Sequence, residues 1–220
     1  MSPLFTSQAR RLGMVSGVVS VALTLVYVVV LGVGLLTLPA PDQPITGALF
    51  VALEALILCL MPALVMLFVA IRAWASAGTQ PYGTAALVFM ALVAGVTCGM
   101  HFVILTVSHH PAVARLEAAP FLFSFTWPSV AYALDVLAWD VFFPLAVLCA
   151  AVVFQGSPLQ VWIRRLLVLS GVLAFAGLSG VVTGDMQLRN VGIVGYAVVF
   201  PVAAALVALE FRRARVQPVA

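Results

Sequence analysis

Four ionisable side chains stand inside long apolar runs of this sequence: Glu54, His101, Asp135 and Asp140. An ionisable group at bilayer depth costs about 2.5–3.5 kcal/mol on insertion scales, so each one is a functional candidate. Carboxylates and an imidazole removed from water bind and release protons, or hold a cation. His101 follows Thr97 and Cys98 at helical spacing, so the three share one face. His101 reads as a proton acceptor or metal ligand, or as a ring hydrogen-bonded to a nearby carboxylate. Tyr132, Trp139 and Phe143 fall in a narrow arc between the two aspartates. At 100° per residue, Asp135 and Asp140 sit about 140° apart, which argues against their sharing a proton. Asp140 with Glu54, and Asp135 with His101, are the more natural pairs. The Trp139 face is a seat for a ligand cation, with Tyr132 lining the same site. A set of Glu54, His101 and Asp135 is a weaker metal hypothesis, because no HExxH or HxxxH signature occurs. No metal and no cofactor is therefore expected, and a lone deep histidine excludes a haem cytochrome.

Six apolar runs must position these groups. They lie near 12–38, 45–71, 83–107, 129–154, 163–183 and 191–211. Each reaches the roughly 20 residues that cross a hydrocarbon core. Apolar residues make up 65% of the chain and charged residues 8%. No soluble fold of this size hides that much apolar surface. The expected fold is all-α: one polytopic membrane domain, 1–220, of six transmembrane helices. At about 1.5 Å per residue, Glu54 lies roughly 13 Å below the outer boundary, His101 and Asp135 roughly 9 Å, and Asp140 roughly 16 Å. One layer in the outer half would thus hold all four, which predicts a shared outward-facing chamber.

Orientation follows from arginine. Arg10, Arg11, Arg72, Arg164, Arg165, Arg212, Arg213 and Arg215 fall on one side, with Arg115 and Arg189 on the other beside Asp42, Glu117 and Asp185. Basic residues stay cytoplasmic, so both termini are expected there, with the chain in the inner (cytoplasmic) membrane. Trp74, Trp127 and Trp162 mark helix ends at headgroup level, while Trp139 stands among the acids. Asp185 and Arg189 read as a pair across the last hairpin, or as part of an outer gate. Glu210 reads as part of a headgroup charge network with Arg212 and Arg213. The N-terminal run is too long for a signal-peptide core and reads as a retained helix.

The chain has no lysine, which removes Walker-type phosphate binding and Schiff-base chemistry. No basic patch with interleaved aromatics is present, so nucleic acid is excluded as a partner. Cys59, Cys98 and Cys149 lie alone in apolar runs and read as buried small hydrophobes. His109, His110 and Pro111 read as an outer loop. Gly13/Gly17, Gly95/Gly99 and Gly180/Gly184 have GxxxG spacing, expected to pack helices within the bundle. Pro62, Pro144 and Pro201 each interrupt a span; Pro144 frees the carbonyl of Asp140, a device for holding cations or a plain kink. No internal three-plus-three repeat is visible.

The stretches Thr97-Cys98-Gly99-Met100-His101-Phe102-Val103, Ala133-Leu134-Asp135-Val136-Leu137-Ala138-Trp139-Asp140 and Asn190-Val191-Gly192-Ile193-Val194-Gly195-Tyr196 resemble segments of a family of uncharacterised prokaryotic six-span membrane proteins. The resemblance implies a multipass fold and no assigned activity. Rhomboid proteases also have six spans, but Ser179-Gly180 lacks their flanking motif.

The leading functional expectation is an integral membrane binding or transport protein. Its acidic site handles protons or a small cationic or polar ligand, with membrane lipid as its surroundings. A membrane-embedded acid/base enzyme acting on a lipid or isoprenoid is the alternative, and an accessory subunit is a third.

Overall fold

The computed structural model describes residues 5–40, 43–108 and 110–214. Asp42, His109 and Arg215, and the Pro41 end of the first turn, lie outside the described residues. Among the described residues, six helices are long and apolar enough to cross a membrane. They are α1 (Ser7–Leu36), α2 (Gly47–Trp74), α3 (Gln80–Val107), α4 (Val130–Val153), α5 (Pro158–Thr183) and α6 (Met186–Arg213). Polar caps start several of them. Thr6 accepts from the Ala9 amide, Ser129 from Tyr132 and Ser157 from Gln160.

Each helix packs on its neighbours in sequence, and α6 closes back on α1, giving a ring. α1 packs through small residues: Gly13, Ser16, Gly17 and Ser20 are its buried face. A Cβ on Gly17 would stand 2.9 Å from Ala208 Cβ, and one on Gly13 would collide with Phe211, so both glycines set how closely α1 approaches. Ser16, Ser20 and Thr24 donate to carbonyls one turn back, at 2.7, 2.7 and 2.9 Å. Their hydroxyls therefore need no partner from another helix. α2, α4 and α6 form the interior, where Phe68, Phe143 and Phe200 meet: Phe143 crosses Phe200 edge-on at 5.2 Å and Phe68 stacks on Phe200 at 6.4 Å.

The other glycine pairs behave differently from the expectation. Gly95 and Gly99 have nothing within 4 Å of a built Cβ, and they face outward from α3. Gly180 instead lies against the Arg189 amide and the Asp185 carbonyl, while Gly184 takes φ +77° in the turn after it. That pair shapes the α5–α6 hairpin rather than a helix crossing. The cysteines are not buried either. Cys59 is exposed on the outside of the ring, and Cys98 and Cys149 are half-buried.

Among the described residues, α6 opens with a 3-10 turn at Met186–Arg189, and two segments inside the spans widen instead. Leu137–Phe142 in α4 and Gly195–Val199 in α6 are π-helical, and the Phe143 and Phe200 amides bond back five residues, to Ala138 and Gly195. Both are followed by Phe-Pro, at Phe143-Pro144 and Phe200-Pro201. Proline has no N–H to close the α-helical bond four residues back, so the ladder opens into the wider turn. Trp139/Tyr196, Phe143/Phe200, Pro144/Pro201 and Phe154/Phe211 recur at one constant spacing. The rings of the first two pairs touch across the interior. The relation is a local repeat between α4 and α6, distinct from a three-plus-three inverted one. Pro62, by contrast, sits in a continuous α-helix.

Both described ends of the chain lie at one end of the bundle. Phe5 packs on Trp74 at 4.7 Å and on Phe211 at 5.2 Å, and Arg10 Nη1 donates to the Ala214 carbonyl at 3.4 Å. We call this the terminal end and the opposite one the distal end.

Candidate functional site

The distal half holds two ionic clusters built from the sequence-predicted residues and one further arginine. Glu54 on α2 and His101 on α3 form the first. His101 Nδ1 and Glu54 Oε2 are 2.7 Å apart, and both side chains are buried. Phe125, from the segment between α3 and α4, lies over the imidazole at 5.3 Å between centroids. Each of these buried polar groups thus has the other as its hydrogen-bond partner.

The second cluster has Arg189 at its centre. Arg189 Nε donates to Asp140 Oδ2 at 2.9 Å, and its Nη2 lies 2.8 Å from the same oxygen. Nη2 also donates to Asp135 Oδ2 at 2.6 Å. The guanidinium fork thus holds one carboxylate with two nitrogens and a second with one. Its carbon stands 4.7 Å from the centroid of the Tyr132 ring, a cation–π contact. Exposure is graded: the Asp135 side chain is 16% exposed, Arg189 3% and Asp140 0%. Asp135 is therefore the rim of the cluster and Asp140 its floor.

The π turn explains why both aspartates reach one arginine. In a regular α-helix they would diverge by about 140°. The i→i+5 turn over Leu137–Phe142 winds fewer degrees per residue and so narrows that divergence, and both carboxylates reach Arg189. The expected pairs, Asp140 with Glu54 and Asp135 with His101, do not form. Nor does Arg189 pair with Asp185 across the hairpin, the first of the two roles the sequence suggests for it. Instead Asp185 caps its own turn, accepting from the Gln187 amide at 3.0 Å, and Arg189 is buried between the aspartates. One signal in the sequence pointed to it. Three acids at one depth with a single histidine leave a deficit of positive charge, and Arg189 is the cation at the start of the last span.

Asp140 Oδ1 has no hydrogen-bond partner and is buried. It faces glycine on two sides. A Cβ on Gly192 of α6 would stand 2.6 Å from it, and one on Gly177 of α5 would collide with it. The two glycines let α5 and α6 close over the carboxylate, leaving no room there for a side chain.

The predicted ligand aromatics are occupied by the protein. Trp139 packs on Tyr196 at 5.0 Å and on Phe143 at 5.5 Å, and it is buried. Tyr132 lies under Arg189 and beside Trp127. The expected open chamber is not what joins the residues: the four acids and bases divide between two packed clusters. Tyr27 of α1 lies within electrostatic reach of both Glu54 and Asp135, and Tyr196 of Arg189, Asp135 and Asp140. Among the described residues no three His, Cys, Asp or Glu side chains converge as a metal-holding group. Glu54 and His101 belong to one cluster and Asp135 to the other. Glu210, at the terminal end, accepts from Gln160 Nε2 at 2.7 Å rather than from the neighbouring arginines.

Comparison with protein-family models, curated proteins and solved structures gave no match to the chain.

Proposed function

We propose that the chain is an integral protein of the cytoplasmic membrane, both termini in the cytoplasm, whose two ionic clusters take up protons from the opposite side. The observation that carries this reading is the charge inventory of the Arg189 cluster. Two carboxylates, one with no exposed surface, face a single guanidinium. Arginine keeps its charge in proteins, so the unmatched negative charge is neutralised by a proton or a small cation. The packing around Asp140 Oδ1 favours the proton, because glycine backbones fill the space a larger ligand would need. Asp135, at the rim, is the entry group, and Asp140 is the deep store. Glu54 and His101 form a second proton-sharing pair, with Tyr27 within electrostatic reach of both clusters. The closed faces of Trp139 and Tyr132 give less support to a bound organic cation or a lipid substrate.

Flux into proteoliposomes tests the reading. A potassium-diffusion potential is imposed, and an entrapped pH dye reports proton entry. Wild-type protein is expected to acidify the lumen, and Asp140→Asn or Glu54→Gln to reduce the rate at least tenfold. Equal rates for wild-type and both variants would remove the proton reading. A second reading is an accessory role in which the clusters clamp spans together. The near-complete pairing of the buried ionic groups favours it. It predicts no flux from wild-type protein, with both variants losing thermal stability.

A further inference from the structure

A groove on the outside of the ring, remote from both ionic clusters, combines a fixed cation with a lipid-facing apolar track. It lies at the terminal end beside the α2–α3 turn and is a shallow hollow open to the outside. Arg72, Gln80 and Thr84 supply its polar wall, and Ala85, Val88 and Phe89 its apolar wall. Arg72 is oriented rather than free: its Nε donates to Thr84 Oγ1 at 3.2 Å. That bond turns the guanidinium toward α3 and leaves the two terminal nitrogens with no protein partner among the described residues. A planar fork held this way matches two oxygens of a phosphate.

The apolar side continues along α3. Ala85, Val88, Leu92, Gly95 and Gly99 share one face by helical spacing. Val88 and Leu92 are exposed, and nothing stands within 4 Å of a Cβ built on Gly95. The face is thus a track with a dent in it. From Thr84 to Gly95 the helix rises about 16 Å, close to half of a hydrocarbon core about 30 Å thick. A chain lying on this track from a phosphate at Arg72 would end near the bilayer midplane.

We infer that this groove is a binding site for one anionic phospholipid of the leaflet at the terminal end. Its phosphate sits on the Arg72 fork and one acyl chain follows Val88 and Leu92 to the hollow at Gly95. The site is independent of the proton reading and shares no residue with it. A second groove at the same end, lined by Arg164, Arg165 and Val168, provides a comparison. There Arg165 lies over Trp162 at 5.4 Å, and neither arginine is fixed by a side-chain hydrogen bond among the described residues.

Native mass spectrometry of the full chain in detergent tests the assignment, with phosphatidylglycerol or phosphatidylcholine titrated in. Wild-type protein is expected to retain one phosphatidylglycerol in preference to phosphatidylcholine. Arg72→Gln should weaken that retention about fivefold or more, since a basic residue at a membrane surface contributes about 1 kcal/mol. Thr84→Val, which releases the fork, should weaken it in the same direction, and Gly95→Leu should weaken it by filling the hollow. Arg164→Gln should leave it unchanged. Inorganic phosphate in excess should not displace the lipid, because it lacks the chain. Three results overturn the inference: retention unaffected by Arg72→Gln, equal loss on Arg164→Gln, or displacement by phosphate alone. A wild-type dimer that Gly95→Leu dissociates would overturn it too, since a second copy would then cover this face. Arg72 and Thr84 are at the surface, so unchanged melting of both variants separates lost binding from lost folding.

Discussion

Arg189 is the side chain on which the distal half turns. It bonds to two carboxylates that α4 presents together, balancing the charge of one, and packs on Tyr132 as well. Removing one partner of a buried ionic group leaves the others desolvated and unpaired, at a cost of about 3–5 kcal/mol. Arg189→Met is therefore expected to destabilise the protein by that amount, read as a lowered melting temperature in detergent. The double variant Arg189→Met with Asp140→Leu should recover part of the loss, because the deepest unpaired charge is gone as well. A single variant as stable as wild type would mean that the cluster is hydrated and contributes little. Glu54 and His101 were legible as candidates from residue type and depth alone. Their partnership was not, because pairing depends on the rotation of α2 against α3, which apolar periodicity leaves undetermined when a helix is apolar on every side.

At the scale of the element, the informative feature is the π turn before Phe143-Pro144. The six apolar helices were readable directly, since span length and hydrophobicity are set by the bilayer. The register within α4 was not, because the 100° step assumes a regular helix, and proline two residues beyond a π turn breaks that assumption. Gly95 and Gly99 misled for a related reason: small-residue spacing states that a close approach is possible, not which surface makes it. Pro144→Ala restores the missing N–H and allows α-helical register, which would swing Asp140 away from Arg189. Under the proton reading, flux in proteoliposomes is expected to fall at least tenfold, as for Asp140→Asn. Pro201→Ala makes the same backbone change in α6, where the matching position is Ala197 and carries no charge. It should therefore reduce flux less. Equal effects of the two variants would show that general helix geometry, and not the placement of Asp140, governs the rate.

For the whole molecule, the structure alters the charge count from which orientation is argued. On sequence alone, the distal side carried two arginines, Arg115 and Arg189. Arg189 is buried and bonded to two aspartates, so it no longer counts as a loop cation facing the membrane surface. Among the described residues Arg115 is then the single distal loop arginine, against Arg10, Arg11, Arg72, Arg164, Arg165, Arg212 and Arg213 at the terminal end. The bias that retains basic loops in the cytoplasm becomes stronger than the sequence count implied. The contacts of Phe5 with Trp74 and Phe211 tie the first, second and sixth helices together at that same end, so the tails share whichever side they occupy. Alkaline phosphatase fused after Ala220 is accordingly expected to be inactive in cells, and phosphatase inserted between Arg115 and Ala118 to be active. Arg189→Gln should leave both results unchanged, because the residue does not act as a topological charge. Replacing Arg10, Arg11, Arg212 and Arg213 together should give mixed orientation, with partial phosphatase activity at the C-terminus. An active C-terminal fusion on the unaltered chain would invert the orientation and with it the side from which protons reach Asp135.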